Sequence, residues 1–172
     1  MMSDVKILHE IRHFYYLLRA LLNRKKRPER TRFWLDRALA LETGSDVYSW
    51  VLAADGLQKV NEDRLGDARK AFFESLELSS RLRDEDEQFV YAYSELWLAI
   101  GDSKVGYERI KELGLAAHMA SDGVSSFLRR LLPLTSMERL EELCRHRQNQ
   151  IQPLVSAERD TPVTTVATNF DF

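Results

Sequence analysis

Apolar residues recur every three or four positions along most of the chain, which is the period of an amphipathic α-helix. The first helical segment, about residues 4–24, carries Leu8, Ile11, Tyr15, Leu18 and Leu22 on one side. A wide apolar stripe of this kind predicts a helix with that face against the core. Pro28 is suited to the first turn of a second helix, which is predicted to end near residue 41.

Turn and capping residues divide the middle of the chain into four further predicted helices. A stop at Gly44 and a cap at Ser45 or Asp46 precede a third helix over about 47–60. The polar turn 61–66 is followed by a helix to about residue 83, and the acidic run 84–87 opens a fifth helix that ends at 101. A sixth helix is predicted from a cap at 102–103 to near residue 114.

The last third of the chain is less regular. Ser121 and Asp122 are predicted to cap a helix that ends before Pro133, and the capping-box spacing of Thr135 and Glu138 opens a polar helix to about residue 151. Residues 153–172 lack helical periodicity and are predicted to be an extended or disordered tail. Two aromatic residues near its end, Phe170 and Phe172, lead to the hypothesis that the tail docks in a groove.

The predicted helices pair into three hairpins that share a weak repeat. The pattern is Thr31-x3-Leu35-x2-Ala38, Ala68-x3-Phe72-x2-Ser75 and Gly106-x3-Ile110-x2-Leu113. We therefore expect an all-α domain over residues 1–152, with antiparallel hairpins at about 4–44, 45–83 and 84–115 and a capping helix pair at about 119–151. Such hairpins bury their apolar faces by stacking on one another.

The hairpin at Ser49–Arg83 resembles a tetratricopeptide repeat, with Gly56, Ala68, Phe72 and Ser75 at its small and aromatic positions. The resemblance implies a short right-handed solenoid that binds a peptide segment or helix in its groove, and a helical bundle without repeats is the alternative architecture. The groove candidates implied by the family are Tyr16, Arg24, Trp50, Leu57, Asn61, Gln88, Tyr91 and Glu95. The family's clamp for C-terminal carboxylates is absent, because Tyr16, Ala20 and Ala53 stand at its cationic or amide positions.

Composition narrows the class of partner. The formal net charge of −2 makes nucleic acid an unlikely partner, although Asp46–Leu65 has a passing likeness to the RNA-reading pentatricopeptide repeats. One cysteine, Cys144, and the lack of an apolar leader or membrane span favour a cytoplasmic protein. The basic run is formed by Arg24, Lys25, Lys26, Arg27 and Arg30. It is interpreted either as a complement to a helix dipole or as a contact for an acidic partner.

Residues His9 to His13 read H-E-x-x-H, a spacing that binds zinc in helical metallopeptidases. Arg12 inside the motif and the lack of a third ligand argue against that use, so the two histidines are interpreted as part of a surface stripe. No metal, cofactor or catalytic group is expected. The leading prediction is a non-enzymatic adaptor or chaperone-like module that binds another protein. The alternatives are a structural subunit that self-associates or is capped by its own tail, and a zinc hydrolase that uses His9 and His13.

Overall fold

The structure is a computed structural model that describes residues 2–41, 47–81 and 84–146, with side chains from residue 7 onward. Its helices are α1 (Met2–Asn23), α2 (Pro28–Leu39), α3 (Tyr48–Asn61), α4 (Leu65–Ser79), α5 (Glu85–Ile100), α6 (Tyr107–Ala120), α7 (Ser126–Leu131) and α8 (137–146). The described part of the chain contains no strand, so the predicted all-α class is confirmed. None of its helices combines the length and apolarity that crossing a bilayer requires. The predicted stop and caps at Gly44, Ser45 and Asp46 and the predicted tail lie outside the described residues.

The predicted start of α5 is confirmed, whereas that of α6 is not. Asp84 accepts a hydrogen bond of 2.9 Å from the backbone N–H of Glu87, as expected for the start of α5. The predicted start of α6 is wrong, because the Asp102 carboxylate instead accepts from the N–H of Lys104 at 2.9 Å within the preceding turn. As a result α6 begins at Tyr107 and runs to Ala120, which places Gly114 in the middle of the helix.

Two caps in the last third are also displaced from their predicted positions. Residues Ser121–Gly123 form a 3-10 turn, and α7 is capped by Ser125, whose Oγ accepts from the N–H of Leu128 at 3.3 Å. Ser136 rather than Thr135 caps α8, since its Oγ accepts from the N–H of Arg139 at 3.3 Å. Both corrections move a helix start toward the C-terminus.

Helices α1 to α6 pack in chain order, and α1 also contacts α3, which contacts α5. The core at these contacts contains fully buried side chains from each of α1 to α5, among them Leu17, Leu35, Val51, Phe72 and Phe89. A second apolar cluster joins α5, α6 and α8 and contains Leu96, Ile110, Ala117, Leu140 and Cys144.

Small residues allow α3 and α4 to approach each other closely. A Cβ atom at Gly56 would lie 2.8 Å from the ring of Phe72, which is itself stacked on Trp97 at 5.8 Å. Farther along the same contact, the Ser75 hydroxyl donates to the carbonyl of Ser49 at 2.8 Å. The small positions of the predicted second hairpin therefore lie at a helix crossing.

A network of charged side chains joins α2 to α3. Arg32 Nη1 donates to Asp55 Oδ1 at 2.5 Å and Nε to Glu62 Oε1 at 3.2 Å. Lys59 Nζ lies 2.7 Å from the second oxygen of Asp55, whose side chain is only 2% exposed. Burial opposes the charge on Arg32, but the hydrogen bonds and charges of Asp55 and Glu62 raise its pKa overall.

The predicted core face of α1 is wrong. Ile11 is 60% exposed and Leu22 is 66% exposed, and Leu8 and Tyr15 are exposed as well. The side of α1 that packs against α2 and α3 instead carries His13, Leu17 and Ala20, all of them buried. Helix α1 therefore has apolar residues on two sides. Helices α2 and α3 cover the side of Leu17 and Ala20, which has the smaller apolar stripe.

Residues 121–134, named here the return segment, run back across the helices instead of shielding the end of the series beyond α6. The 3-10 turn at its start contacts α5, and α7 contacts α1, where the Phe127 ring lies 5.8 Å from that of Phe14. Val124, Leu131 and Leu132 are buried in the same core as Leu17. The position of α7 therefore differs from that expected of a terminal cap.

Candidate functional site

Helix α3 contacts both α1 and α5, and the return segment lies against α1 and α5. Gly123 is so close to α5 that a Cβ atom there would lie 2.7 Å from an Oε2 atom of Glu85. Leu131 joins Leu17, Ala20 and Leu57 around a small internal cavity between α1, α2 and α3. Part of the surface of these helices is thus already covered by the protein's own chain.

An open cleft of about 560 Å³ remains at the C-terminal ends of the same three helices. Its walls come from the end of α1, the last turns of α3 and α5, and the start of α8 with the residues before it. The lining residues are Arg24, Lys25, Leu57, Val60, Asn61, Trp97, Pro133, Leu134, Thr135, Ser136, Arg139 and Leu143. The cleft therefore combines an apolar floor with cations and hydroxyl groups at its edge, as ligand sites commonly do.

Arg24, which lines both the cleft and the small cavity between α1, α2 and α3, carries an unsatisfied donor. Its Nη1 atom is shielded from solvent and has no hydrogen-bond partner within the part of the chain that the structure describes. Burial raises the pKa of the nearby Tyr93 hydroxyl, and the positive charge of Arg24 opposes that shift. Because leaving a buried charged donor unpaired is costly, an anionic group that reaches Arg24 would be favoured.

A second, apolar cavity of about 230 Å³ adjoins the cleft beneath α8. Val60, Trp97 and Leu143 line both spaces, and Ala68 and Phe72 extend the second toward α4. Trp97 is half-buried, so one residue borders both the open cleft and the apolar cavity.

Three of the eight predicted groove residues, Arg24, Leu57 and Asn61, meet in the cleft. They are far apart in sequence but occupy corresponding places at the ends of α1 and α3. Asn61 is exposed, Arg24 is half-buried, and Leu57 is 9% exposed. The structure thus brings together the candidates from the C-terminal ends of the first two odd-numbered helices.

The other five predicted groove residues lie elsewhere. Trp50 is 4% exposed and packs on Phe89 at 5.6 Å, while Tyr16 stacks on Trp34 at 5.8 Å. Glu95 lies 3.8 Å from Arg109 of α6. Gln88 and Tyr91 are exposed on α5 outside the cleft lining.

The sequence did not identify the residues that complete the cleft. Trp97 is not among the predicted groove residues, and Pro133, Leu134, Ser136 and Leu143 fall within the predicted capping pair. No local pattern marks these positions, because α5, the return segment and α8 bring them to the ends of α1 and α3 only in the folded chain.

The predicted basic run follows the last residue of α1. Lys25, Lys26, Arg27 and Arg30 are exposed, and none of them forms an ion pair with another described residue. Arg24 and Lys25 border the cleft. Lys26, Arg27 and Arg30 do not line it and are exposed to solvent. This arrangement agrees with both interpretations, since cations near a helix C-terminus complement its dipole and are also available to an acidic ligand.

The histidines of the H-E-x-x-H motif do not share an open surface. His13 is completely buried, which corrects its interpretation as part of a surface stripe, and its ring lies 5.4 Å from that of Tyr48. Burial lowers the pKa of His13, and the charge of His9 acts in the same direction. The described residues contain no group of three or more His, Cys, Asp or Glu side chains positioned to hold a metal ion.

Comparison of the chain with protein-family models, with curated proteins and with solved structures found no match.

Proposed function

We propose that this protein is a non-enzymatic interaction module that binds a short segment of another polypeptide in the cleft at the ends of α1, α3 and α5. The carrying observation is the buried, unpaired Nη1 atom of Arg24 beside an open cleft with an apolar floor. The expected ligand has an apolar anchor residue next to an acidic side chain. The apolar residue covers Leu57 and Trp97, and the acidic group pairs with Arg24.

A tetratricopeptide-like stack of hairpins is the arrangement we propose for the helices. Three features support it: the contacts of α1 with α3 and of α3 with α5, the close crossing at Gly56 and Phe72, and the buried serines of the second hairpin. In such a stack the first helix of each hairpin lines the groove. The return segment then occupies part of the groove and leaves the C-terminal end for a ligand.

The size and charge of the cleft favour a peptide segment over a long extended chain. A volume of about 560 Å³ accommodates a few side chains, and the return segment blocks the continuation of the groove toward Phe14. Arg139, which also borders the cleft, is already paired with Glu142. Arg24 and Lys25 are therefore the cations that would select an acidic ligand.

Selection from a random peptide library displayed on phage, with the full chain as bait, tests this proposal. We expect enriched peptides to combine an aromatic or aliphatic residue with a nearby Asp or Glu, and a synthetic copy to change the fluorescence of Trp97. Arg24→Gln should weaken binding at least tenfold, because it removes the charge that pairs with the ligand. Asn61→Trp should also block binding, since Asn61 is exposed and a large ring there would fill the cleft.

Arg27→Gln is the matched control, because it removes an exposed cation of the same run that does not line the cleft. It should bind within about twofold of the wild type once the salt concentration is fixed. Equal losses for Arg24→Gln and Arg27→Gln would indicate unspecific charge attraction. Failure to enrich any peptide, or enriched peptides that bind Asn61→Trp normally, would contradict the proposal.

A further inference from the structure

Helix α1 carries an apolar face that no described part of the chain covers. Leu8 is 47% exposed, Ile11 60%, Tyr15 47% and Leu22 66%. At about 100° per residue, these four positions fall within a sector of roughly 60° on the side opposite Leu17 and Ala20. We name this stripe the outer face of α1.

The exposed apolar surface continues beyond these four residues. Ile7 and Phe14 extend the outer face along one edge, Phe127 of α7 lies against Phe14, and Phe33 of α2 lies against Trp34 beside Tyr15. From their exposures, these eight residues leave on the order of 700 Å² accessible, which exceeds the largest patch on a typical monomer. That area approaches the roughly 800 Å² that each partner contributes to an ordinary stable interface.

The spacing of the outer face suits pairing with itself. Its apolar residues follow at intervals of three and four, and Tyr15 lies midway between Leu8 and Leu22. A two-fold axis near Tyr15 would pair the Leu8 end of one helix with the Leu22 end of a second copy. An isologous interface requires this kind of self-complementary surface.

We propose that two copies of this chain associate through antiparallel packing of their α1 outer faces, at a surface separate from the cleft. Burial of the apolar stripe drives the association. The antiparallel orientation leaves the clefts of both copies accessible. Arg12 and Arg19 lie along one edge of the stripe, and Arg19 is held over the ring of Trp34 at 5.1 Å. In an antiparallel pair these edges lie side by side. The arginines of one copy then face the arginines of the other, and their positive charges repel.

Charge repulsion at the edge distinguishes a second copy from an acidic partner. Added salt screens like charges, so self-association should tighten between about 50 and 500 mM NaCl. Attachment of an acidic helix or an anionic membrane to the same face would weaken over that range. The salt response therefore has opposite signs for the two kinds of occupant.

Sedimentation equilibrium of the full chain tests the proposal. We expect the mass to rise from the 20.0 kDa monomer toward twice that value between about 1 and 100 µM, more steeply in high salt. Ile11→Lys and Leu22→Lys, both at highly exposed positions, should fold normally and raise the dimer dissociation constant at least tenfold. Met119→Lys is the matched control, since Met119 is 75% exposed on α6, away from α1.

Cross-linking tests the orientation, and Cys144 gives little background because it is buried. Leu8→Cys mixed with Leu22→Cys should form a dimer with a short bismaleimide, whereas either variant alone should remain largely monomeric. A monomeric mass at 100 µM, an Ile11→Lys variant that dimerises like the wild type, weaker association in high salt, or cross-linking of each variant only with itself would each overturn the proposal. Peptide binding in the cleft does not depend on any of these outcomes.

Discussion

Single residues fix how closely the helices approach, and Gly56 is the clearest instance. Its place in the second hairpin was predicted to be small, and the ring of Phe72 occupies the space that a side chain would need. Phe72 is 2% exposed and its ring is stacked on Trp97, so a Cβ atom at Gly56 would require the ring of Phe72 to shift and would disturb that stacking. The steric requirement and the repeat pattern therefore point to the same residue.

We predict that Gly56→Ala destabilises the fold by about 1–2 kcal/mol. Overpacking costs about 1–3 kcal/mol, and the better helix propensity of alanine offsets up to about 1 kcal/mol of that. Chemical denaturation measures the difference. Gly66→Ala is the matched control, because a Cβ atom there meets nothing within 4 Å and the same propensity gain should appear as a small stabilisation. Equal effects of the two substitutions would contradict the close crossing.

Burial of His13, a residue of the H-E-x-x-H motif, makes the free energy of unfolding depend on pH in the acid range. Burial holds the pKa of His13 below its ordinary value of 6.5, while the backbone of Ala38 acts in the opposite direction. Above pH 6.5 the imidazole of His13 is mostly neutral in both the folded and the unfolded chain. As the pH falls below 6.5, the unfolded chain binds a proton at His13 before the folded chain does. The free energy of unfolding therefore decreases as the pH falls.

We predict that His13→Gln reduces the loss of unfolding free energy between pH 7 and pH 5, whatever its effect at pH 7. The reason is that the variant has no imidazole to protonate in the unfolded state. Urea denaturation at several pH values measures how the free energy of unfolding changes with pH for the wild type and for the variant. A variant with the same pH dependence as the wild type would show that His13 is not held neutral by burial.

Among the elements, α2 is joined to α3 by the charge network around Asp55 as well as by the packing of Leu35 and Ala38 in the core. We predict that Arg32→Met costs about 2–3 kcal/mol, somewhat less than the usual 3–5 for breaking a buried pair, because Lys59 still contacts Asp55 and Arg32 is partly exposed. Thermal and urea unfolding both measure this loss. Arg145→Met, which removes an exposed pair with Glu141 outside this network, should change stability little. An equally small effect at Arg32 would argue against a structural role for the network.

At the scale of the whole molecule, the return segment joins the two ends of the helix series. Its short helix α7 has six residues and cannot be stable alone, so its position depends on the burial of Val124, Leu131 and Leu132 against α1 and its neighbours. The same segment provides Pro133 and Leu134 to the cleft. It therefore links the stability of the fold to the shape of the candidate site.

We predict that Leu131→Ala costs about 2–4 kcal/mol, as expected when a buried leucine leaves a cavity. It should also raise hydrogen-exchange rates in α1 and at the cleft more than in α6, since Leu131 itself lies against Leu17, Ala20 and Leu57. Phe127→Ala is a milder comparison, because Phe127 is 39% exposed. Uniform acceleration along the chain, or none, would contradict the role of the segment in holding α1 and the cleft in place.

Local signals accounted for the helices and for part of the site. Periodicity predicted the helical class, Asp84 predicted the start of α5, and the spacing of Gly56, Ala68 and Phe72 marked a helix crossing, because each feature depends on neighbours within a few turns. Caps were misplaced where several polar residues stood together, as at Asp102 and at Ser136. There the sequence offers competing acceptors, and the path of the chain selects one.

Long-range packing decided what these signals left open. The periodicity of α1 could not show which of its two apolar sides is buried, because both satisfy the same helical spacing. Nor could it show that the return segment crosses back to α1, since contacts between residues more than a hundred positions apart leave no local pattern. Arg24, Leu57 and Asn61 were named from the resemblance to a repeat, but Trp97, Pro133 and Leu143 joined them only through the fold. The local pattern of the sequence thus specified the helices. Tertiary packing decided which apolar faces are buried and which are exposed, because the core has room for only some of them.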